Sequence, residues 1–214
     1  KYLISNDLCD QISEFVIGDI DDFIFGGPVN NKELLIPLNP VSISPGARVF
    51  MGSTKASNLH LICDVPAIAS DISHESTVQR ILDRNLARDQ WQRQLIKSRV
   101  KHITSFLSRQ FNFFVNPVII FLPEENNNAS IVINAGSGHN LSVNFDSFVN
   151  FDVEEPTLFG DDRPLAILDG QHRVRGAARS VTGANIEIPF ILVPSTYSMD
   201  QAAKLFAEIN TTSK

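Results

Sequence analysis

Four apolar residues, Leu165–Leu168, run into Asp169-Gly170, and a helix-forming stretch, Gln171–Val181, begins with no loop between them. Such a run reads as a buried strand, and the small and apolar positions Val174, Ala177, Ala178 and Val181 read as one helix face. The chain must therefore pass from sheet to helix within two residues. Gly183 supplies a stop, Ile186–Val193 a second strand, and Ser198–Ile209 a second helix. Ser198 followed three residues on by Gln201 is a capping box. Strand, turn, helix, strand and helix make an α/β unit, so an all-β fold and a pure helical bundle are both excluded. The expected fold class is mixed α/β (α+β).

Upstream, residues 75–110 place Val78, Ile81, Leu82, Leu86, Leu95, Ile96, Val100, Ile103, Phe106 and Leu107 at three- and four-residue steps. They predict one long helix, or two broken near Asp89–Trp91. Phe113–Leu122 predicts a buried strand, with Pro117 near its start or at an edge. Ser130–Asn134 and Asn140–Phe145 predict a hairpin, and 146–163 a loop ending in Asp161 and Asp162. Residues 1–74 read as a β-rich segment, with strands at Phe15–Ile17, Leu34–Pro37, Arg48–Met51 and Leu59–Val65 between Gly- and Pro-containing breakers. The expected division is thus 1–74 and 75–214. A first residue Lys1, and a last helix followed directly by the chain end, suggest a piece of a longer protein.

The 214 residues, 43% hydrophobic and 20% charged, can bury a core without staples. Fifteen Phe against two Tyr and one Trp point to core packing, not to a stacking platform. Cys9 and Cys63 stand far apart and outside any metal spacing. They read as buried thiols in a reducing, cytoplasmic setting. No apolar run reaches the roughly 18 residues of a membrane span, so no membrane partner is expected. The five histidines show no i, i+4 pair, so no metal site is expected. Gly52-Ser-Thr-Lys55 lacks the order of a phosphate loop.

The chemistry concentrates at Asp169-Gly170-Gln171-His172-Arg173. The first amides of a helix have no partner within it, and its dipole is positive there. Gly170 lets backbone approach a ligand closely. His172 and Arg173 add donors, and the arginine fork suits phosphate oxygens. These parts describe an anion site, with Asp169 free to hold a water or a metal. The same parts also build an ordinary turn, with Asp169 as cap and Arg173 paired to an acid. Arg175 and Arg179, four apart, are expected on one exposed face.

Leu-Asp-Gly-Gln-His-Arg resembles the signature of the DGQHR-domain family, found in bacterial DNA-modification systems, including DNA sulfur modification (phosphorothioation). Phe206-Ala-Glu-Ile-Asn210 resembles the family's downstream Phe-x-x-x-Asn pattern, and Asn116-Pro117-Val118-Ile119-Ile120 its upstream element. The resemblance covers about residues 75–214, and 1–74 only loosely. It implies a ParB/sulfiredoxin-like fold, in which such a turn meets nucleotide phosphates. It further implies ATP or another nucleoside triphosphate as ligand, with Mg²⁺ beside it and ATP hydrolysis as the activity. By that resemblance Gly170, Gln171, His172, Arg173 and Asn210 bind nucleotide, and Asp169, His172 and Arg173 act in catalysis. Partners would be other proteins of a restriction-modification or phage-defence system.

Residues 80–109 hold eight basic groups and two acidic ones, Asp83 and Asp89, giving +6 in a chain of net charge −6. Arg80, Arg84 and Arg88 are four apart, as are Arg93, Lys97 and Lys101, so each triplet makes a helical stripe able to follow a DNA backbone. The rival function is therefore a DNA-binding transcriptional regulator, not an enzyme. A third is an assembly module docking through its phenylalanines.

Overall fold

A computed structural model describes residues 32–64, 96–107, 109, 112–133, 136, 138–146, 148–150, 157–158, 163–180 and 182–211. A hairpin of β1 (Glu33–Ser44) and β2 (Ala47–Lys55) turns at Gly46, whose φ of +82° suits glycine. α1 (Ala56–Ile62) and β3 (Cys63–Asp64) follow. Next come α2 (Lys97–Leu107), β4 (Val118–Phe121), β5 (Ala129–Ile133) and β6 (His139–Asn144). A two-strand ribbon, β7 (Val149–Asn150) with β8 (Thr157–Leu158), precedes β9 (Leu165–Asp169) and α3 (Gln171–Ala178). A 3₁₀ turn at Gly183–Asn185, β10 (Glu187–Val193) and α4 (Met199–Thr211) complete the described chain.

The main sheet has eight strands in the order β3-β9-β4-β10-β2-β1-β6-β5. β1 changes partner halfway. Glu33–Leu38 pair with β6, and Asn39–Ser44 with β2. Each half is paired on one side only, so Pro37 and Pro40, which lack an N–H, are tolerated. β4 runs parallel to β10 but antiparallel to β9. β9 and β10 therefore run in opposite directions with β4 between them. The strand–helix–strand unit read from sequence is present, but it is not a parallel crossover. The fold is a mixed α+β domain.

Side-chain alternation divides the sheet into two faces. Val118, Ile120, Ile167, Phe190 and Leu192 join Leu59, Ile62, Val174 and Ala177 in the main core beneath α1 and α3. Phe121, Leu168 and Val193 point the other way and meet Ala202, Ala203 and Ala207 of α4. The result is three layers. No helix among the described residues is long and apolar enough to cross a membrane.

Two sequence expectations are corrected. Leu59–Ile62, expected as strand, is the second half of α1, and only Cys63 and Asp64 are extended. Every side chain of α1 except Asn58 is buried, so the helix shows no polar face to betray its period. The strand expected at Phe113–Leu122 begins only at Val118; Phe113 and Val115 are 64% and 73% exposed. Pro117 cannot donate to a ladder, and pairing starts after it. The Phe15–Ile17 strand and the Asp89–Trp91 break lie outside the described residues.

The capping box is formed. Ser198 N donates to Gln201 Oε1 at 2.8 Å, and Gln201 N donates to Ser198 Oγ at 3.3 Å. Ser198→Ala removes one of these bonds and should cost about 1 kcal/mol, a few degrees in Tm, in thermal melts followed by circular dichroism.

Candidate functional site

β9 delivers Asp169 to the sheet's end, Gly170 turns the chain, and α3 begins. Gly170 is required for two reasons. Its φ of +97° is a left-handed conformation, and a Cβ there would lie 3.0 Å from both Arg173 Nη2 and Val118 Cγ2. No side chain caps α3, because the Asp169 carboxylate turns to Arg173 instead.

Arg173 organises the turn. Nη2 donates to Asp169 Oδ2 at 2.8 Å, and Nη1 donates to the carbonyls of Asn116 at 2.5 Å and Pro117 at 3.2 Å. The guanidinium thus pins the segment before β4 against the end of β9. Three of the five guanidinium N–H groups are used, which leaves two without a partner among the described residues. The pair is not sealed: the Arg173 and Asp169 side chains are 19% and 39% exposed. Asp169 Oδ1 also has no partner among the described residues.

His172 is buried, and its Nε2 accepts from the backbone N–H of Ile96 at 2.9 Å. With Nε2 accepting this bond, a neutral His172 ring carries its proton on Nδ1. The ring anchors the start of α2, whose first turn otherwise presents unpaired N–H groups. Gln171 is buried beside it. Asn210 lies in the last turn of α4, the helix that packs across the other face of β9.

Of the basic stripe, Arg80, Arg84, Arg88 and Arg93 lie outside the described residues, as do Asp161, Asp162 and Cys9. Lys97 opens α2, and Lys101 is exposed one turn on. No group of three or more His, Cys, Asp or Glu side chains able to hold a metal occurs among the described residues.

The expectation that Arg175 shares an exposed face with Arg179 is overturned: Arg175 is 4% exposed. Its Nη1 donates to the His60 carbonyl at 2.9 Å and its Nη2 to the Cys63 carbonyl at 3.2 Å, and Nη1 also contacts His60 Nδ1. These carbonyls lie at the C-terminus of α1, where helix acceptors lack partners and the dipole is negative. Burial, and then the charges of Arg175, Arg163 and Arg179, hold the His60 pKa well below its usual value. Burial likewise pushes the Cys63 thiol up to about 12, so it stays protonated and inert. The sequence reading missed this cluster, whose members are more than a hundred residues apart.

No family model, no curated protein and no solved structure matches this chain.

Proposed function

We propose that this chain binds a nucleoside triphosphate, ATP by the motif resemblance, at the Gly170 turn, and hydrolyses it within a bacterial DNA-modification or phage-defence system. The observation that carries the reading is the half-open Arg173 guanidinium, with two N–H groups to spare beside the start of α3. A terminal phosphate at this position gains charge-assisted bonds from Arg173 and the favourable end of the α3 dipole. Arg173 keeps its own orientation because Asp169 and the two carbonyls fix it, so little side-chain entropy is lost on binding.

Asp169 Oδ1 would take a magnesium ion or the attacking water. Magnesium commonly uses only one or two carboxylates and draws its remaining ligands from phosphate and water, which fits a single acid here. The ion would supply charge neutralisation on the phosphates. The ring of His172 positions α2 through its Nε2.

Calorimetry with ATP and Mg²⁺ tests the reading. Arg173→Lys keeps a cation but loses the fork. It should weaken ATP binding about 10- to 100-fold, as expected for lost charge-assisted hydrogen bonds. Asp169→Asn should retain ATP affinity in EDTA while abolishing magnesium-dependent turnover. Unchanged ATP affinity in both Arg173→Lys and Arg173→Ala overturns the site. A melting temperature raised by duplex DNA but by no nucleotide would mark a DNA-binding regulator instead.

A further inference from the structure

On the opposite face of the sheet from α3, a cavity of about 260 Å³ separates α4 from the β1–β2 hairpin. Its wall is apolar, from Ile43, Val49, Val193 and Leu205. Ile43 forms an exposed lip, 60% accessible, while Val49 and Val193 are buried. Four polar side chains, Tyr197, Gln201, Lys204 and Glu208, join this wall. Lys204 makes no ion pair or hydrogen bond among the described residues. Tyr197 keeps its hydroxyl out of solvent with no hydrogen-bond partner among the described residues.

We infer that this cavity binds a small monocarboxylate with an apolar body, such as a medium-chain fatty acid. The volume equals roughly nine water molecules at about 30 Å³ each, enough for a short acyl chain. The apolar wall gains by covering that chain. The Lys204 ammonium is the charged donor a carboxylate head requires. Glu208, one turn beyond Lys204, lines the same cavity. A carboxylate there disfavours a dianion, which selects a monocarboxylate over a phosphate. The site shares no residue with the Gly170 turn, so it stands or falls independently of nucleotide binding.

The test is a titration of the whole ¹⁵N-labelled chain with octanoate and, in parallel, with octan-1-ol, followed by amide chemical shifts. Octanoate should bind with Kd below about 1 mM, and the alcohol at least fivefold more weakly. Lys204→Met should bring octanoate affinity down to that of the alcohol and leave the alcohol unaffected. Ile43→Trp, at the exposed lip, should block both ligands while the chain remains folded. Equal binding of acid and alcohol with a silent Lys204→Met overturns the carboxylate assignment. The absence of any saturable shift at 10 mM octanoate overturns the site.

Discussion

Replacing Arg175 with methionine should lower folding stability by about 3 kcal/mol, or about 10 °C in Tm for a chain of this size. Methionine can fill the space of the arginine stem, so the loss isolates the hydrogen bonds. Without the guanidinium, the carbonyls of His60 and Cys63 and the His60 Nδ1 lose their donor in a buried setting. A buried acceptor left unpaired costs about 1–3 kcal/mol, and relaxation of α1 keeps the sum below three full penalties. Arg175→Lys should recover only part of the loss, because one ammonium does not span two carbonyls as the planar fork does. Urea denaturation followed by circular dichroism reads both variants. A loss under 1 kcal/mol for the methionine variant would show that water reaches these carbonyls.

The same cluster sets an acid limb. His60 is neutral in the folded chain because burial, first, and the neighbouring arginines oppose its protonation. In the unfolded chain it takes a proton near pH 6.5. A histidine depressed by folding leaves stability flat above about pH 6.5 and lowers it as pH falls, by up to about 1.4 kcal/mol per pH unit. Arg175→Met should keep this limb, because burial is the larger cause.

What could be read from the sequence, and what could not, divides by the distance over which each residue finds its partner. The turn at Asp169-Gly170 and the box of Ser198 with Gln201 are set by neighbours within four positions, so residue type and spacing were sufficient. Even the Asp169–Arg173 pair is an i, i+4 contact. The second job of Arg173, holding the Asn116 and Pro117 carbonyls, spans 57 and 56 residues and leaves no local trace. Arg175 reaches across 115 residues to His60. Two arginines four apart normally signal a solvated face, and nothing in the spacing shows that the end of α1 needs donors at that point. α1 was misread for a different reason. Leu59, His60, Leu61 and Ile62 are buried together, and a short run buried at every position has the same pattern in a helix as in a central strand. A ParB/sulfiredoxin-like fold is what the motif resemblance implies; the structure shows a mixed α+β domain.

Gly176→Ala should destabilise the chain by about 2 kcal/mol, although alanine is the better helix former by about 1 kcal/mol. Gly176 lies where α3 crosses α2. An added Cβ would fall 2.5 Å from Ile103 Cγ2, 2.7 Å from Ile103 Cβ and 3.1 Å from the Val100 carbonyl. Rotation about χ1 can move the Cγ2 methyl away but not the Cβ, so α2 itself must retreat. Retreat strains two bonds that tie the helices together. Thr104 Oγ1 donates to the Gly176 carbonyl at 2.9 Å, and Ile96 N donates to His172 Nε2. Gly176→Val adds two further methyls at the crossing and should leave no folded population at 37 °C. Ile103→Ala in the Gly176→Ala background should recover about 1 kcal/mol relative to the sum of the single changes, a coupling that a double-mutant cycle measures directly. If Gly176→Ala instead raises stability by the propensity gain alone, the helices do not approach as closely as these distances require. The link from Gly176 through α2 to His172 would then carry no strain.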